Sequence, residues 1–492
     1  MRKMSWRLLF MSLLSIFFSS HLPSWSSELN NSLSDIESVY EVIVKPGSNI
    51  QELVDHRPPG TTFRLQPGIH QLQQIKPKPR DSFIGLPGAI LSGAMEIQDF
   101  IQQGKYWVAE VAVPDIPQKG RCQKHQDGTL SNGCKFANDL FIDNLALIQV
   151  SRLSLVEPGT WFLDIQQNKV YIAENPKGKK LEISLIRYAF YGNANKVTIR
   201  NLIIEKYANP AQEGAIHPLN DAQGSLGKHW KVERNEIRLN HGVGIRLGHY
   251  MQITNNHVHH NGQLGLGGAG NAILVETNEI AYNNTQRFDS HWEAGGSKFS
   301  RTDNLTVRGN YVHHNQGPGL WTDGNNIHTL YEGNRVQENA GPGIFHEISY
   351  EAVIKNNIVE RNGFERKKWV DGAGILVTAS RDVEIFGNSV KDNSHGICAT
   401  QTKRGKGGFG PYEIHNLHVH DNHIAMMQGV TGLVIQNQDM SYFTDRNNRF
   451  QRNSYVLSNK NMQSFRWKKS ALTYEGWNAF GQDLKGSLKT PN

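Results

Sequence analysis

Short apolar segments separated by asparagine-containing turns dominate the chain from Val197 onward. Within them the pattern Asn-x-aliphatic-x-x-Asn recurs, with its first asparagine at a nearly regular spacing. The pattern occupies Asn235–Asn240, Asn256–Asn261, Asn278–Asn283, Asn310–Asn315, Asn334–Asn339, Asn357–Asn362 and Asn388–Asn393. The intervals between starts are 21, 22, 32, 24, 23 and 31 residues. A base period of about 22 residues with occasional additions is typical of solenoid coils that carry loop insertions.

A coil of this length cannot bury its own apolar residues, so the core has to form by stacking neighbouring coils. Stacked coils lie one strand spacing apart, about 4.7–4.9 Å. The recurring asparagines then occupy the same corner of each coil, where their side chains can bond the backbone of the next coil. We therefore expect a structural asparagine ladder. A leucine-rich repeat would need a repeated leucine spacing that is absent, and a propeller needs about 40 residues or more per blade.

The asparagine ladder and the Gly-hydrophobic strands between residues 197 and 436 resemble the right-handed parallel β-helix of the pectate-lyase-like superfamily. This resemblance implies an all-β fold, a single-stranded right-handed parallel β-helix with an N-terminal cap and inserted loops. The segment from Trp477 to Asp483 is similar to the closing segment of uncharacterised secreted β-helix proteins. The superfamily contains lyases, hydrolases, epimerases and non-catalytic adhesins, so the resemblance leaves the reaction open.

The start of the chain has the features of a secretory signal peptide. It is basic, it has an 11-residue apolar stretch from Leu8 to Phe18, and small residues follow. Because this stretch is too short to span a bilayer, we expect a secreted protein, extracellular or periplasmic, without a membrane anchor. The predicted organisation is a signal peptide at 1–27, a linker at 28–39, an N-terminal cap with a β-rich insertion at 40–190, the β-helix at 191–455 and a closing segment at 456–492.

The three cysteines fit an exported protein. Cys122 and Cys134 lie in one polar loop, and we expect them to form a local disulfide, which an oxidising compartment would preserve. Cys398 is then left without a cysteine partner, and we expect a structural role for it.

The strands that follow the asparagine turns can be aligned from their glycines. The residue after each glycine is apolar apart from one serine, so this column should face the core: Ile245, Leu266, Ser297, Leu320, Ile344, Ile375 and Ile397. Side chains alternate along a strand, so positions one and three residues later point outward. In the second of these outward columns, carboxylates occur only on two middle coils, at Asp323 and Glu347. A register shifted by one residue would expose Thr322 and His346 instead.

Asp323 and Glu347 are the candidate catalytic pair. Neighbouring carboxylates raise each other's pKa, so one can stay protonated as an acid while the other acts as base or nucleophile. Lys298 lies one coil away and is the third candidate catalytic residue. The candidate substrate-binding residues are charged or aromatic and lie around this pair or on inserted loops, where binding is often found: Arg246, Trp292, Glu293, Trp321, Phe345 and Trp369. The aromatic rings could stack on sugars.

A mixed acidic, basic and aromatic patch in the middle of a long groove favours an enzyme that acts on a polymer. Our first hypothesis is a secreted carbohydrate-active enzyme that cleaves glycosidic bonds of a polysaccharide, with retention or inversion left open. The second is a lyase or C5-epimerase of a uronic-acid polymer, in which Lys298 would abstract the C5 proton. The third is a non-catalytic glycan-binding solenoid. A surface ion network without a catalytic role would give the same residue pattern.

The charge and the acidic residues suggest partners and a metal. A net charge of +7 on an exported chain favours an acidic polysaccharide over nucleic acid. Calcium is the cation that Asp323, Glu347 and Glu293 would suit, since it prefers hard oxygen ligands. A zinc ion shared by His259 and His313 is excluded, because two coils, about 10 Å, separate them. The sequence does not define an oligomeric state, and a monomer is consistent with it.

Overall fold

The described chain is a parallel β-helix, as the repeat predicts. A computed structural model describes residues 40–117, 119–124, 130–131, 133–220, 224–366, 369–468 and 470–490. The predicted signal peptide at 1–27 and linker at 28–39 lie outside the described residues. Among the described helices, none has the length and apolar character needed to cross a membrane.

Each coil contributes strands to three rows. The first row carries the candidate site and consists of Phe190–Tyr191, Gly214–His217, Val243–Arg246, Leu264–Glu276, Gly295–Arg308, Leu320–Asp323, Ile344–Glu347, Ala373–Thr378, His395–Gln401, Thr431–Ile435 and Phe465–Trp467, closed by the antiparallel Ser470–Leu472. The second row consists of Glu41–Val44, Thr62–Leu65, Ser82–Gly85, Thr198–Arg200, Lys231–Glu233, Gln252–Thr254, Ile327–Glu332, Tyr350–Lys355, Arg381–Phe386, His418–His420 and Arg449–Gln451. Strands Leu264–Glu276 and Gly295–Arg308 continue from the first row into the second, so both rows form one 23-stranded sheet.

The third row is a separate sheet of 13 strands. It consists of Gly68–Gln71, Ala89–Ser92, Ile203–Glu205, Glu236–Arg238, His257–His259, Glu279–Ala281, Tyr311–His313, Arg335–Gln337, Ile358–Glu360, Ser389–Lys391, His423–Met426, Ser454–Leu457 and Ser487–Lys489. Strand Ala89–Ser92 pairs directly with Ile203–Glu205. Strand Thr198–Arg200 of the same coil pairs with Ser82–Gly85. The residues between Ser92 and Phe190 are therefore an insertion between consecutive coils.

The insertion folds around a hydrophobic cluster of its own, which includes Leu140, Trp161 and Val170. Its strands are Ala94–Glu96, Ile101–Gln103, Tyr106–Glu110, Leu140–Ile142, Leu145–Ala146, Ile148–Gln149, Thr160–Asp164, Lys169–Ile172 and Leu181–Ser184, with 3-10 turns at Gly133–Lys135 and Leu153–Leu155. The remaining short elements are the strand pairs Leu219–Asn220 with Ser225–Leu226 and Lys406–Gly407 with Gly410–Pro411, and the 3-10 turn Met440–Phe443.

Short helices join the core at both ends of the solenoid. Helix Ile50–Asp55 begins after Asn49, whose side chain accepts a hydrogen bond from the Glu52 amide, and it buries Ile50 and Val54 in the core. Helix Tyr474–Ala479 buries Trp477 at the other end. Apolar helical residues thus cover terminal coils that would otherwise expose core side chains to water.

Two asparagine ladders hold the coils in register and confirm the predicted structural role. At a typical step, Asn310 donates from its backbone N–H and from Nδ2 to Oδ1 of Asn334, at 3.0 and 2.9 Å. Its Nδ2 also donates to the Val275 carbonyl at 3.0 Å. The first ladder contains Asn235, Asn256, Asn278, Asn310, Asn334, Asn357, Asn388, Asn422 and Asn453; the second contains Asn240, Asn261, Asn283, Asn315, Asn339, Asn362 and Asn393.

The closing segment ends the first ladder with an aspartate. Asp483 Oδ1 accepts the backbone N–H of Asn453 at 2.9 Å, and its Oδ2 accepts the Trp477 indole N–H at 2.9 Å. Burial raises the pKa of Asp483. The segment from Trp477 to Asp483 therefore gives the last coil the acceptor that the next asparagine would otherwise provide.

The structure joins Cys122 and Cys134 by a disulfide, with their Cα atoms 5.6 Å apart. Cys398 lies on the first row and is 1% exposed, and burial raises the pKa of its thiol. A buried thiol of raised pKa is a poor nucleophile at neutral pH.

We expect Asn334→Ala to lower the free energy of unfolding by about 2–4 kcal/mol, because it leaves the buried Asn310 amide and the Val307 carbonyl without their ladder partner. Denaturant unfolding measures the loss. The exposed Asn461→Ala is the matched control and should change the free energy by less than about 0.5 kcal/mol. Equal effects from both variants would contradict the ladder's structural role.

Candidate functional site

The pairing of two first-row strands places the candidate acids side by side. Leu320–Asp323 pairs in parallel with Ile344–Glu347, so that Trp321 lies opposite Phe345 and Asp323 opposite Glu347. Neighbouring parallel strands are about 4.7–4.9 Å apart. Two carboxylates that are distant in sequence therefore lie on adjacent strands of one face.

The register is the one that the apolar column predicts. Thr322 and His346 point into the solenoid, where both are fully buried and the Thr322 hydroxyl lies 2.8 Å from Nδ1 of His346. Burial lowers the pKa of His346 to about 3, so the imidazole is neutral in the core. The residues that alternate with them, Asp323 and Glu347, face outward.

Each acid has its own cationic partner. Lys298 Nζ lies 2.7 Å from Asp323 Oδ2, and Arg404 Nη1 lies 2.8 Å from Glu347 Oε1. Lys298 also donates to the Trp292 carbonyl at 2.5 Å and lies 4.1 Å from the centroid of the Trp321 ring. Its ammonium group is thus enclosed by a carboxylate, a carbonyl and an aromatic face.

The two carboxyl groups differ in their surroundings. Burial raises the pKa of Glu347, and the negative charge of Asp323 raises it further, while Arg404 and Lys298 act in the opposite direction. The net effect is a raised pKa, so Glu347 keeps its proton to a higher pH than an exposed glutamate. Asp323, in contrast, has its negative charge balanced directly by the Lys298 ammonium.

One carboxylate oxygen of the pair lacks a hydrogen-bond donor among the described residues. Within the described residues, Asp323 Oδ1 is buried and accepts no hydrogen bond. A buried carboxylate oxygen without a donor is costly, since most such atoms are hydrogen-bonded in folded proteins. A water molecule or a substrate hydroxyl would satisfy it.

Two of the predicted sugar-stacking residues are buried, and that prediction is wrong for Trp321 and Phe345. The rings are 2% and 6% exposed and stack on each other with centroids 5.4 Å apart. They form a hydrophobic cluster with Val370 of the inserted loop at 364–371 and with Ala373 and Leu376 of the strand that follows this loop. Strand alternation correctly predicts that both side chains point away from the solenoid core. It does not predict that a loop from later in the sequence covers them.

The other two aromatic candidates lie in loops. Trp292 is partly buried and packs with Ala211 and Ala294 against the Cys122–Cys134 disulfide. Trp369, in contrast, is 51% exposed. Of the predicted aromatic binding residues, Trp369 is therefore the one that offers an open ring face to a ligand.

The two charged candidates lie further toward the N-terminal side of the first row. Arg246 is aligned with Lys298 across Gly267 of the intervening strand, and its guanidinium donates to the Gln212 carbonyl. Gln212 Nε2 donates to Glu293 Oε2 at 2.6 Å. Arg246 and Glu293 are thus linked through Gln212 along one side of the site.

Each of the three carboxylates named in the calcium prediction has a partner within the described residues. Among the described residues, the groups of three potential ligands whose atoms lie within 4.8 Å of one another do not include Asp323, Glu347 and Glu293. Asp323 and Glu347 are each paired with a cationic side chain, and Glu293 accepts a hydrogen bond from Gln212. Lysine and arginine therefore already supply the positive charge that a bound cation would bring.

Sequence reasoning missed two arginines. Arg404 belongs to a basic loop after the first-row strand His395–Gln401, and only the fold shows that it returns to Glu347. Arg366 is 7% exposed, and burial lowers its pKa to about 10, although Asp371, Glu347 and Asp289 oppose this shift. The sequence shows that these loops are rich in charged residues. It does not show toward which part of the β-helix each loop folds.

A cavity of about 690 Å³ opens beside the site loops. Its lining includes Cys122 of the disulfide loop, Asp289 and His291 of the loop before Lys298, and Arg366. The negative charge of Glu347 raises the pKa of Arg366, which lines this cavity. Its walls come from three separate insertions on the scaffold, as is common for binding sites.

Comparisons with known proteins support this fold. The model of the right handed beta helix region matches residues 219–390 and 332–406. A solved structure described as a complex of XylC with xylose is 14% identical, with a TM-score of 0.63 and coverage of 85% of this chain and 83% of that chain. The mannuronan C-5 epimerase AlgE6 A-module of Azotobacter vinelandii is 14% identical, with a TM-score of 0.49 and coverage of 90% and 94%.

The polygalacturonase of Erwinia carotovora is 9% identical, with a TM-score of 0.41 and coverage of 94% of this chain and 98% of that chain. No curated protein matches the sequence significantly. The fold of this chain is a right-handed parallel β-helix. The likeness to the XylC complex concerns the fold alone.

Because Trp321 is a buried part of the cluster under the loop, we expect Trp321→Ala to lower the free energy of unfolding by about 3–5 kcal/mol. Trp369→Ala, at the exposed ring, should change it by less than about 0.5 kcal/mol. Denaturant unfolding of both variants tests the difference. A larger loss for Trp369→Ala would show that the burial of the two rings has been assigned wrongly.

Proposed function

We propose that this chain is a secreted enzyme that cleaves glycosidic bonds of a polysaccharide on the outer face of the first row. The observation that carries the proposal is the register pairing of Asp323 with Glu347 in unequal electrostatic surroundings. Hydrolysis of a glycosidic bond uses one carboxyl group that donates a proton and one carboxylate that acts as base or nucleophile. The two acids fit these two roles.

Glu347 is the proposed general acid. Its raised pKa keeps a proton on the carboxyl group, which can pass to the oxygen of the departing sugar. Asp323, charge-balanced by Lys298, is the proposed base or nucleophile, and its Oδ1 accepts no hydrogen bond within the described residues. Lys298 and Arg404 then hold the two carboxyl groups in position.

The stereochemical outcome depends on the separation of the two carboxyl groups. Strand spacing alone brings them near the separation of about 5–5.5 Å found in retaining glycosidases, whereas side chains that diverge to about 6.5–9.5 Å would suit inversion. The anomer of the first product, followed by NMR, distinguishes these outcomes.

A β-elimination or epimerisation with Lys298 as base fits the geometry less well. The Lys298 ammonium donates to a carboxylate and a carbonyl and faces an aromatic ring, so it serves to balance charge. A base would need a deprotonated amine directed toward the substrate. This contact pattern favours hydrolysis over the lyase and epimerase alternatives.

The proposed substrate is a polysaccharide with acidic groups. Arg246, Lys298, Arg404 and the exposed Trp369 surround or approach the site, and the chain has a net charge of +7. XylC, whose structure was solved in complex with xylose, has a similar fold with a TM-score of 0.63, and this likeness supports a sugar ligand for the present chain. The β-helix groove gives an extended chain room to bind along several coils.

Incubation of the mature protein with neutral and uronic polysaccharides tests the reaction class. We expect new reducing ends without ultraviolet absorbance from an unsaturated product. Absorbing products would establish a lyase instead, and binding without new reducing ends would point to an epimerase or a glycan-binding protein. Either of these results would contradict the proposal.

Asp323→Asn and Glu347→Gln should each reduce the cleavage rate by about 100-fold or more, because each removes one member of the acid–base pair. Glu360→Gln, on the third row of strands, is the control and should leave the rate unchanged. The initial rate of reducing-end formation is the measurement. Losses of only a few fold in both site variants would exclude this pair as the catalytic residues.

Arg404→Gln should move the basic limb of the pH–rate profile of kcat/KM to higher pH. Arg404 lowers the pKa of Glu347, so its removal raises that pKa and keeps the acid protonated over a wider range of pH. An unmoved limb, or one displaced to lower pH, would show that Glu347 is not the group that limits activity at high pH.

A further inference from the structure

Two histidines and a glutamate converge on the second row, away from the candidate active site. Glu384 belongs to strand Arg381–Phe386, and His418 and His420 belong to the paired strand His418–His420. Their potential ligand atoms all lie within 4.8 Å of one another. Two imidazoles and a carboxylate are a ligand set that zinc and related transition metals prefer.

The β-helix itself builds this arrangement. Val419 is fully buried, so alternation turns His418 and His420 to the same outer face, with ring centroids 4.0 Å apart. The parallel register places Glu384 opposite His418 on the coil before. Glu384 Oε1 lies 3.0 Å from Nε2 of His420, close to the separation of about 3.3 Å between two donors of a tetrahedral zinc ion.

The neighbours of His420 fix its orientation. Its Nδ1 lies 2.7 Å from Asp421 Oδ2, and Phe386 stacks on the ring with centroids 5.1 Å apart. Arg452 pairs with Asp421 at 2.6 Å and lies 3.4 Å from Nδ1. A carboxylate on one imidazole nitrogen directs the other nitrogen toward a metal in many metal sites. His420 thus has a carboxylate at each ring nitrogen, Asp421 at Nδ1 and Glu384 at Nε2. A cation between Nε2 and Glu384 would bind both of these groups.

His418 has a contact that a metal would have to compete with. Its Nε2 lies 3.0 Å from Oε1 of the exposed Gln451 on the next coil. Arg449 belongs to the same strand as Gln451 and lies opposite His418. It donates to the Asn447 carbonyl at 3.0 Å, so its guanidinium is directed toward the start of its own strand. An exposed amide is a weak competitor for imidazole compared with a transition metal.

A second triad with the same residue types offers an internal comparison. Glu236 lies opposite His257, and His259 Nε2 lies 3.2 Å from Glu236 Oε1. Here, however, Arg238 Nη1 also binds Glu236 Oε1, at 2.5 Å. Within the described residues, Glu384 has no salt bridge to lysine or arginine. The arginine therefore disfavours a metal at the Glu236 triad and leaves the Glu384 triad as the better site.

We propose that Glu384, His418 and His420 bind a divalent transition-metal ion of the zinc class. The three ligands come from two consecutive coils, so the ion would join these coils and leave a coordination position for water. The site lies outside the acidic pair and does not depend on the proposed glycosidase activity.

The test uses the full-length protein without a histidine tag, treated with a chelator and titrated with Zn²⁺ by calorimetry. We expect one ion per chain, bound in the micromolar range or tighter. A visible absorption band of tetrahedral Co²⁺ should appear at the same stoichiometry. Circular dichroism confirms that each variant is folded, which is expected because the three side chains lie on the outer face.

Three variants separate the proposed site from its twin. His420→Ala should abolish the high-affinity binding, and Asp421→Asn should weaken it by about 10- to 100-fold through loss of the outer carboxylate. His259→Ala is the matched control and should bind as the wild type does. Absence of Zn²⁺ binding, unchanged binding by His420→Ala, or loss of binding by His259→Ala alone would overturn the assignment.

Discussion

The asparagine ladders are the interaction on which the rest of the structure depends. Each ladder side chain satisfies a backbone N–H and a backbone carbonyl of the coil before it, as Asn334 illustrates with Asn310 and Val307. All of these groups are buried, so a shift of one coil by a single residue would leave several without partners. The ladders therefore fix which residues of neighbouring coils lie opposite each other, along nearly the whole helix.

Fixed register turns a linear spacing into a chemical site. Asp323 and Glu347 meet because one coil separates them, and strand alternation places both on the outer face. Their environments then diverge, since Lys298 balances the charge of Asp323 while burial and that same charge raise the pKa of Glu347. The scaffold supplies the pairing, and loops supply Arg404 and the cover over Trp321. The proposed division into acid and base follows from this asymmetry.

The coils, the inward column and the pairing of the two acids could be predicted because they depend on local periodicity. The burial of Trp321 and Phe345 could not, since it depends on a loop whose path is set by tertiary contacts. The contact of Arg404 with Glu347 could not be predicted for the same reason, since Arg404 also lies in a loop. The histidine triad illustrates a different limit. The sequence predicts no zinc site for His259 and His313, which lie two coils apart, whereas Glu384, His418 and His420 combine ligands from two consecutive coils.

The most direct test of the central claim is the titration of Glu347 by NMR, with ¹³C-labelled glutamate carboxyl groups, in the wild type and in Asp323→Asn. If the coils hold the two acids side by side, the pKa of Glu347 lies above the ordinary value of 4.5 in the wild type and falls when the charge of Asp323 is removed. A Glu347 that titrates at the ordinary value, or whose pKa is unchanged in Asp323→Asn, would contradict the account.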